Sequence, residues 1–203
     1  MGIMKKSFNV SRKEIWQKLS TEIGAQYIPG TFWKGDKIEA SHGEWTIVLD
    51  TFTVVVNKVP VVYTRLRAPY VNPEGFRFCI YRRSMFSEIA KWFGMQDVVV
   101  GHEEFDRDFI IKGTDEGKLR LLFASPKLRE LINAQPQIHF SVKDNDGFFG
   151  ATFPADADEL RFVVAGIITD EVRLKQLFEM FAETLEQLCN IGSAYETAPQ
   201  IKL

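Results

Sequence analysis

The sequence predicts an α+β fold, with antiparallel strands carrying helices on one face. Three observations predict it. Apolar residues recur at helical spacing in the opening, middle and closing segments of the 203-residue chain. From Lys37 to Tyr81, and again near residues 140 and 160, the period switches to two. Few of these strands are separated by the crossover helix that parallel pairing requires.

The elements follow in order. Ser11 and Glu14 form a capping box, Val10 and Ile15 are spaced as a hydrophobic staple, Ile15, Leu19 and Ile23 share a helical face, and Gly24 fits the stop. Trp45, Ile47 and Leu49 alternate with Thr46, Val48 and Asp50, and Phe76, Phe78 and Ile80 with Arg77, Cys79 and Tyr81, with turns expected at Ser41 to Gly43, Asn57 to Pro60 and Asn72 to Gly75. A helix from about Met85 to Phe93 is capped by Ser84 and stopped by Gly94. Phe105 to Lys112 reads as a strand, with Asp106 and Asp108 on its exposed face and Phe105 and Phe109 inward. Helices over Asp115 to Phe123 and Ser125 to Asn133 follow, the second opened by Ser125-Pro126. Strands Ile138 to Val142 and Phe148 to Phe153 flank Asp144-Asn145-Asp146-Gly147, a hairpin turn, and Leu160 to Ile168 is a third strand. The closing helix, Asp170 to Ile191, carries an apolar stripe of Leu174, Leu177, Phe178, Phe181, Leu185 and Leu188 that packs across the sheet. Asn190 to Ala198 is then an exposed tail, and Met1 to Lys6 and Thr197 to Leu203 are loose ends. The chain reads either as a single domain or as two fused helix–sheet–helix halves, about 7–97 and 98–195.

Composition excludes several functions. A net charge of −2 removes the global attraction to phosphate on which nonspecific nucleic-acid binding depends. Gly75 to Tyr81 superficially matches an RNA-recognition strand, but Glu74 and Arg77 stand where a basic and a small residue belong. Cys79 and Cys189 lie far from any zinc or redox spacing and read as free thiols. With no secretory leader and no run near 18 apolar residues, a cytoplasmic location without a membrane span is expected. Motifs for serine hydrolases, phosphate-binding loops and dinucleotide folds are missing, and no cofactor is expected.

At Phe105-Asp106-x-x-Phe109-x-Ile111-Lys112, preceded by Gly101 and accompanied upstream by Tyr63 to Leu66 and Gly75 to Phe78, the chain resembles an uncharacterised bacterial family, a domain of unknown function. The resemblance spans Trp45 to Leu188 and implies no activity and no catalytic residues. Relatives of that kind are often associated with membrane-spanning segments, which this sequence lacks.

Local charge is more informative than net charge. Between Asn57 and Arg83 six basic residues, Lys58, Arg65, Arg67, Arg77, Arg82 and Arg83, face one acid, Glu74. Between Gln96 and Glu116 seven acids face Arg107 and Lys112. Period two puts Arg65 and Arg67 on one strand face, and Arg77 on a strand that can neighbour it. Such a guanidinium cluster suits a phosphate, a carboxylate or an acidic protein surface, and pairing with the acidic segment of the same chain competes with that use. His102 to Asp108 is dense in ligating side chains but lacks metal-site spacing, so no metal is assigned; it is the place for an enzyme, if the protein is one. Noncatalytic binding of a protein partner or a small anionic ligand through Arg65, Arg67 and Arg77 is the favoured reading, with catalysis at the acidic segment His102 to Asp108, with or without a metal, the alternative. A third, peripheral membrane association, requires the basic segment to lie on an outer surface beside exposed apolar residues.

Overall fold

The computed structural model describes residues 11–31, 35–84, 96–144, 153–154, 156–197 and 199. In chain order its elements are α1 (Arg12–Glu22), β1 (Gln26–Ile28), β2 (Lys37–His42), β3 (Trp45–Val56), β4 (Val59–Val71), β5 (Phe78–Arg82), β6 (Gln96–Asp97), α2 (Glu103–Asp108), β7 (Phe109–Gly113), α3 (Glu116–Leu122), α4 (Pro126–Asn133), β8 (His139–Lys143), β9 (Ala157–Ala165) and α5 (Glu171–Asn190). The nine strands form one sheet in the order β1-β2-β3-β4-β9-β8-β5-β7-β6, and every neighbouring pair is antiparallel. Strands from before and after residue 97 interleave, since β9 and β8 lie between β4 and β5.

The α+β class and the one-sided packing of helices are as the sequence predicts. Alternate strand residues, including Ile47, Leu49, Leu66, Phe78, Ile80, Phe140 and Phe162, meet Trp16, Leu119, Leu128, Leu177 and Phe181 from the helices in one core. Phe78 sits at the centre of its aromatic part, with ring centroids 5.9 Å from Phe123 and 5.6 Å from Phe140, both edge-on as the ring quadrupole favours. The opposite face carries a small buried apolar cluster, Cys79, Tyr81 and Ile110.

Local chemistry sets the helix ends. Glu14 N donates to Ser11 Oγ at 3.3 Å and Ser11 N to the Glu14 carboxylate at 2.8 Å, closing the capping box. Ser125 Oγ accepts from Leu128 N with Pro126 in the first turn, and Asp170 accepts from Arg173 N. Trp16, whose Nε1 donates to the Ile168 carbonyl, fills the core where Ile15 was expected to lead; Ile15 is only partly buried.

Two expectations are corrected. Phe105 to Lys112 is a short helix, Glu103–Asp108, followed by a strand from Phe109. Phe105 and Phe109 do point inward, 4.8 Å apart by ring centroid, because a separation of four suits a helical turn as well as strand parity. Asn190 to Ala198 is not an exposed tail: Ser193 and Ala194 are buried, and Tyr195 N donates to the Val71 carbonyl. The expected helix from Met85 to Phe93, the turn after Asp144, the strand from Phe148 and the N-terminal end lie outside the described residues.

The β3–β4 hairpin outruns the sheet. Pairing with β2 stops at Ile38↔Leu49 and pairing with β9 at Thr64↔Val164. Val62 O accepts one further bond from Gly166 N. Beyond that, among the described residues, Thr53 to Val61 pair only with each other across the turn at Asn57 and Lys58. Four residues of strand at about 3.3 Å each make an arm of about 13 Å. Both turn residues have positive φ, 49° and 68°, the combination that matches hairpin twist.

Candidate functional site

The basic residues singled out by the sequence fall in two places. Arg65 and Arg67 lie on β4, on the sheet face opposite the helices, and come together on Asp50 of β3, which stands directly across from Arg65. Arg65 Nε and Nη2 donate to the two Asp50 oxygens at 2.9 and 2.8 Å, a bidentate fork, and Arg67 Nη2 donates to Asp50 Oδ2 at 2.8 Å. Arg67 Nη1 lies 3.8 Å from Glu159 on β9. Burial pushes the Asp50 carboxyl up, but the Arg65 hydrogen bond and the two guanidinium charges outweigh it and hold the pKa below the usual carboxylate range.

Strand register brings more cation to this face. Arg67 is directly opposite Arg161, and Lys143 opposite Glu159. Like charges facing across strands are destabilising. Asp50 and Glu159 offset the repulsion only in part: among the described residues of β3, β4, β9 and β8, Arg65, Arg67, Lys143 and Arg161 stand on this face with those two carboxylates, an excess of two positive charges. His139 adds none at neutral pH, because burial, then Lys143 and Arg161, lower its pKa to about 4. Toward the arm the face opens. Phe52 and Tyr63 stack across the strands with centroids 5.3 Å apart, and the Arg65 and Arg161 guanidiniums sit 4.9 and 6.0 Å from the Phe52 ring.

Arg77 does not join this cluster, since β9 and β8 intervene between β4 and β5. It pairs with Asp144 at 3.0 Å and reaches Asp158 at 3.7 Å, lining a cavity of about 390 Å³ with Asn72 and Phe153. Asn72 ties the turn down, with its Nδ2 donating to Phe76 O and Asp158 and its Oδ1 accepting from Phe76 N. Burial raises the Asp158 pKa despite Asn72 and Arg77. All three arginines thus pair within the chain, with acids outside the segment from Gln96 to Glu116.

The segment His102 to Asp108 is used structurally. Asp106 accepts from the backbone N–H groups of Val100, Gly101 and His102, each at 2.9 Å, folding the loop over the first turn of α2. Gly101 permits this with φ 91°. His102 Nε2 lies 2.9 Å from Arg129 Nη1, a cation that opposes a metal at that nitrogen. Glu103 and Glu104 face solvent, and no group of metal-ligating side chains occurs among the described residues. Cys79 and Cys189 are free, with burial pushing the Cys79 thiol up to about 12, far from a reactive thiolate. A second cavity, about 650 Å³, is lined by His42, Trp45, Glu186, Cys189 and Tyr195.

Sequence reasoning missed Asp50, Phe52, Lys143 and Arg161. A signal for the first two was present: a two-residue turn at Asn57-Lys58 places Asp50 across from Arg65 and Phe52 across from Tyr63.

No family model matches the chain, and no curated protein matches it. Among solved structures it is similar to the crystal structure of the mycobacterial trehalose monomycolate transport factor A, TtfA, at 8% identity and a TM-score of 0.45, over 94% of this chain and 98% of that one. No helix among the described residues is long and apolar enough to cross a membrane.

Proposed function

We propose that this is a noncatalytic binding protein whose ligand carries phosphate or carboxylate groups. The ligand is met where the basic face opens toward the arm, at Arg65, Arg161, Phe52 and Tyr63. Arg67 supports the site from its buried position, and Arg77 braces the Asn72 turn instead. The observation that carries this reading is the two-charge excess among the described residues of a face where two guanidiniums lie over one aromatic ring.

Thermal unfolding of the full chain with inorganic pyrophosphate or citrate, against chloride at equal ionic strength, tests it. A ligand at ~100 times its Kd stabilises by about 2.7 kcal/mol, which raises Tm by about 5–10 °C in a domain of this size. Arg161→Gln and Arg65→Lys are expected to remove most of that rise while retaining a cooperative transition. An undiminished rise in both variants, or no rise with either anion in the wild type, defeats the reading.

A further inference from the structure

The arm is the most exposed apolar feature of the described residues. Val54, Val55, Val56 and Val59 are 41, 68, 44 and 60% accessible. From Thr51 to Thr64 the chain holds six valines, a proline and two aromatic residues, and its one charged side chain is Lys58. A soluble protein pays in solubility for such a patch unless something covers it.

We infer that the arm enters the headgroup–acyl boundary of an anionic lipid surface. The inference rests on the anionic-ligand reading above and names the source of the phosphate. Three features favour lipid over a protein groove. First, the arm is apolar on both sides: register puts Val54, Val56, Val59 and Val61 on one face and Val55, Pro60 and Val62 on the other. A groove buries one side of a ribbon, whereas a bilayer surrounds both. Second, the chemistry is layered along the arm. Valines lead, the Phe52–Tyr63 pair follows, and Arg65 and Arg161 stand behind the rings. That is the order of acyl boundary, interface and anionic headgroup. Third, the reach fits: the arm projects about 13 Å, and interfacial elements sink about 5–10 Å.

Lys58 sets the depth. A lysine at positive φ is uncommon where glycine is the easy choice, yet here it holds the apex at φ 68°. An ammonium does not belong among acyl chains. Its four-carbon stem can lie along the valines while the charge returns to the phosphates, which keeps the arm oblique and shallow.

Co-sedimentation of the full chain with phosphatidylcholine vesicles, and with mixed phosphatidylcholine–phosphatidylglycerol vesicles, tests the inference. The mixed vesicles are expected to bind at least about tenfold more tightly, because each basic residue near an anionic surface adds attraction. Val55→Asp with Val59→Asp, both at exposed positions, is expected to weaken mixed-vesicle binding by about tenfold or more while thermal unfolding and the pyrophosphate response stay as in the wild type. Lys58→Gly preserves the turn and is expected to reduce the preference for anionic lipid without abolishing binding.

Mixed-vesicle binding that survives the paired Asp substitutions overturns arm insertion. Pyrophosphate binding without vesicle binding overturns the inference and leaves the anion site standing; absence of both overturns both. Self-association without lipid, lost in the paired variant and unaccompanied by vesicle binding, assigns the arm to a second copy of the chain and also overturns it.

Discussion

Asp50→Ala is expected to cost about 3–5 kcal/mol of folding stability, because breaking a buried ion pair from one side leaves the partner's charge uncompensated. Here two guanidiniums lose that carboxylate, while Arg67 keeps Glu159 at 3.8 Å. Arg65 and Arg67 have side chains only 15 and 8% accessible, and both donate to the Asp50 carboxylate. Arg67 is also forced against Arg161 across the β4–β9 pair. Urea denaturation should show a lower midpoint with an unchanged slope, and Tm should fall by about 10 °C, given about 2–4 °C per kcal/mol for a chain of this size. Asp50→Asn keeps the shape and one acceptor and should fall between. Adding Arg67→Met to Asp50→Ala should recover part of the loss, since an apolar side chain of similar length removes the stranded charge. A loss below about 1 kcal/mol in Asp50→Ala would mean the arginines find equal partners elsewhere. The lowered Asp50 pKa fixes the sign with pH: its contribution is complete above the unfolded carboxylate range and disappears as pH falls through the lower folded value.

The second large effect is an acid loss that begins at a higher pH. His139 is half-buried, but its Nε2 is sealed from solvent, and Lys143 and Arg161 share its face. The folded pKa of about 4 lies below the unfolded value of 6.5, so the unfolded chain takes up the proton first. Stability is therefore full above about pH 6.5 and declines until the folded histidine itself is protonated near pH 4, a loss of about 3 kcal/mol. His139→Phe keeps a ring beside Tyr81 and cannot titrate, so the slope of stability between those values should flatten. Asp158 acts oppositely: its raised pKa makes the folded state hold the proton more firmly, so its contribution grows as pH falls. The difference between wild type and His139→Phe isolates the histidine, and equal slopes would refute its role.

What the sequence could and could not reveal follows from range. The caps at Ser11 and Ser125 are contacts across three residues, and both are found as predicted. Facing along β3 and β4 was legible from period two, which placed Arg65 and Arg67 together. Strand order was not: nothing local says that β8 and β9 insert between β4 and β5, and this separates Arg77 from the other arginines. Phe105 and Phe109 defeated the pattern because their spacing satisfies helix and strand alike. The run Val54-Val55-Val56 breaks period two, a sign of a ribbon apolar on both sides that was readable in principle. The motif around Asp106 folds as a loop clasp joined to an aromatic cluster.

Amide hydrogen exchange of the full chain, with and without mixed phosphatidylcholine–phosphatidylglycerol vesicles and separately with pyrophosphate, tests most directly the claim that the binding surface is the arm and its basic base. Vesicles should protect Phe52 to Tyr63, and pyrophosphate should protect the neighbourhood of Arg65 and Arg161, with the Asn72–Asp158 turn and the cavity at His42 and Tyr195 unchanged. Protection confined to either of those cavities, or to the loop at His102, would contradict the account.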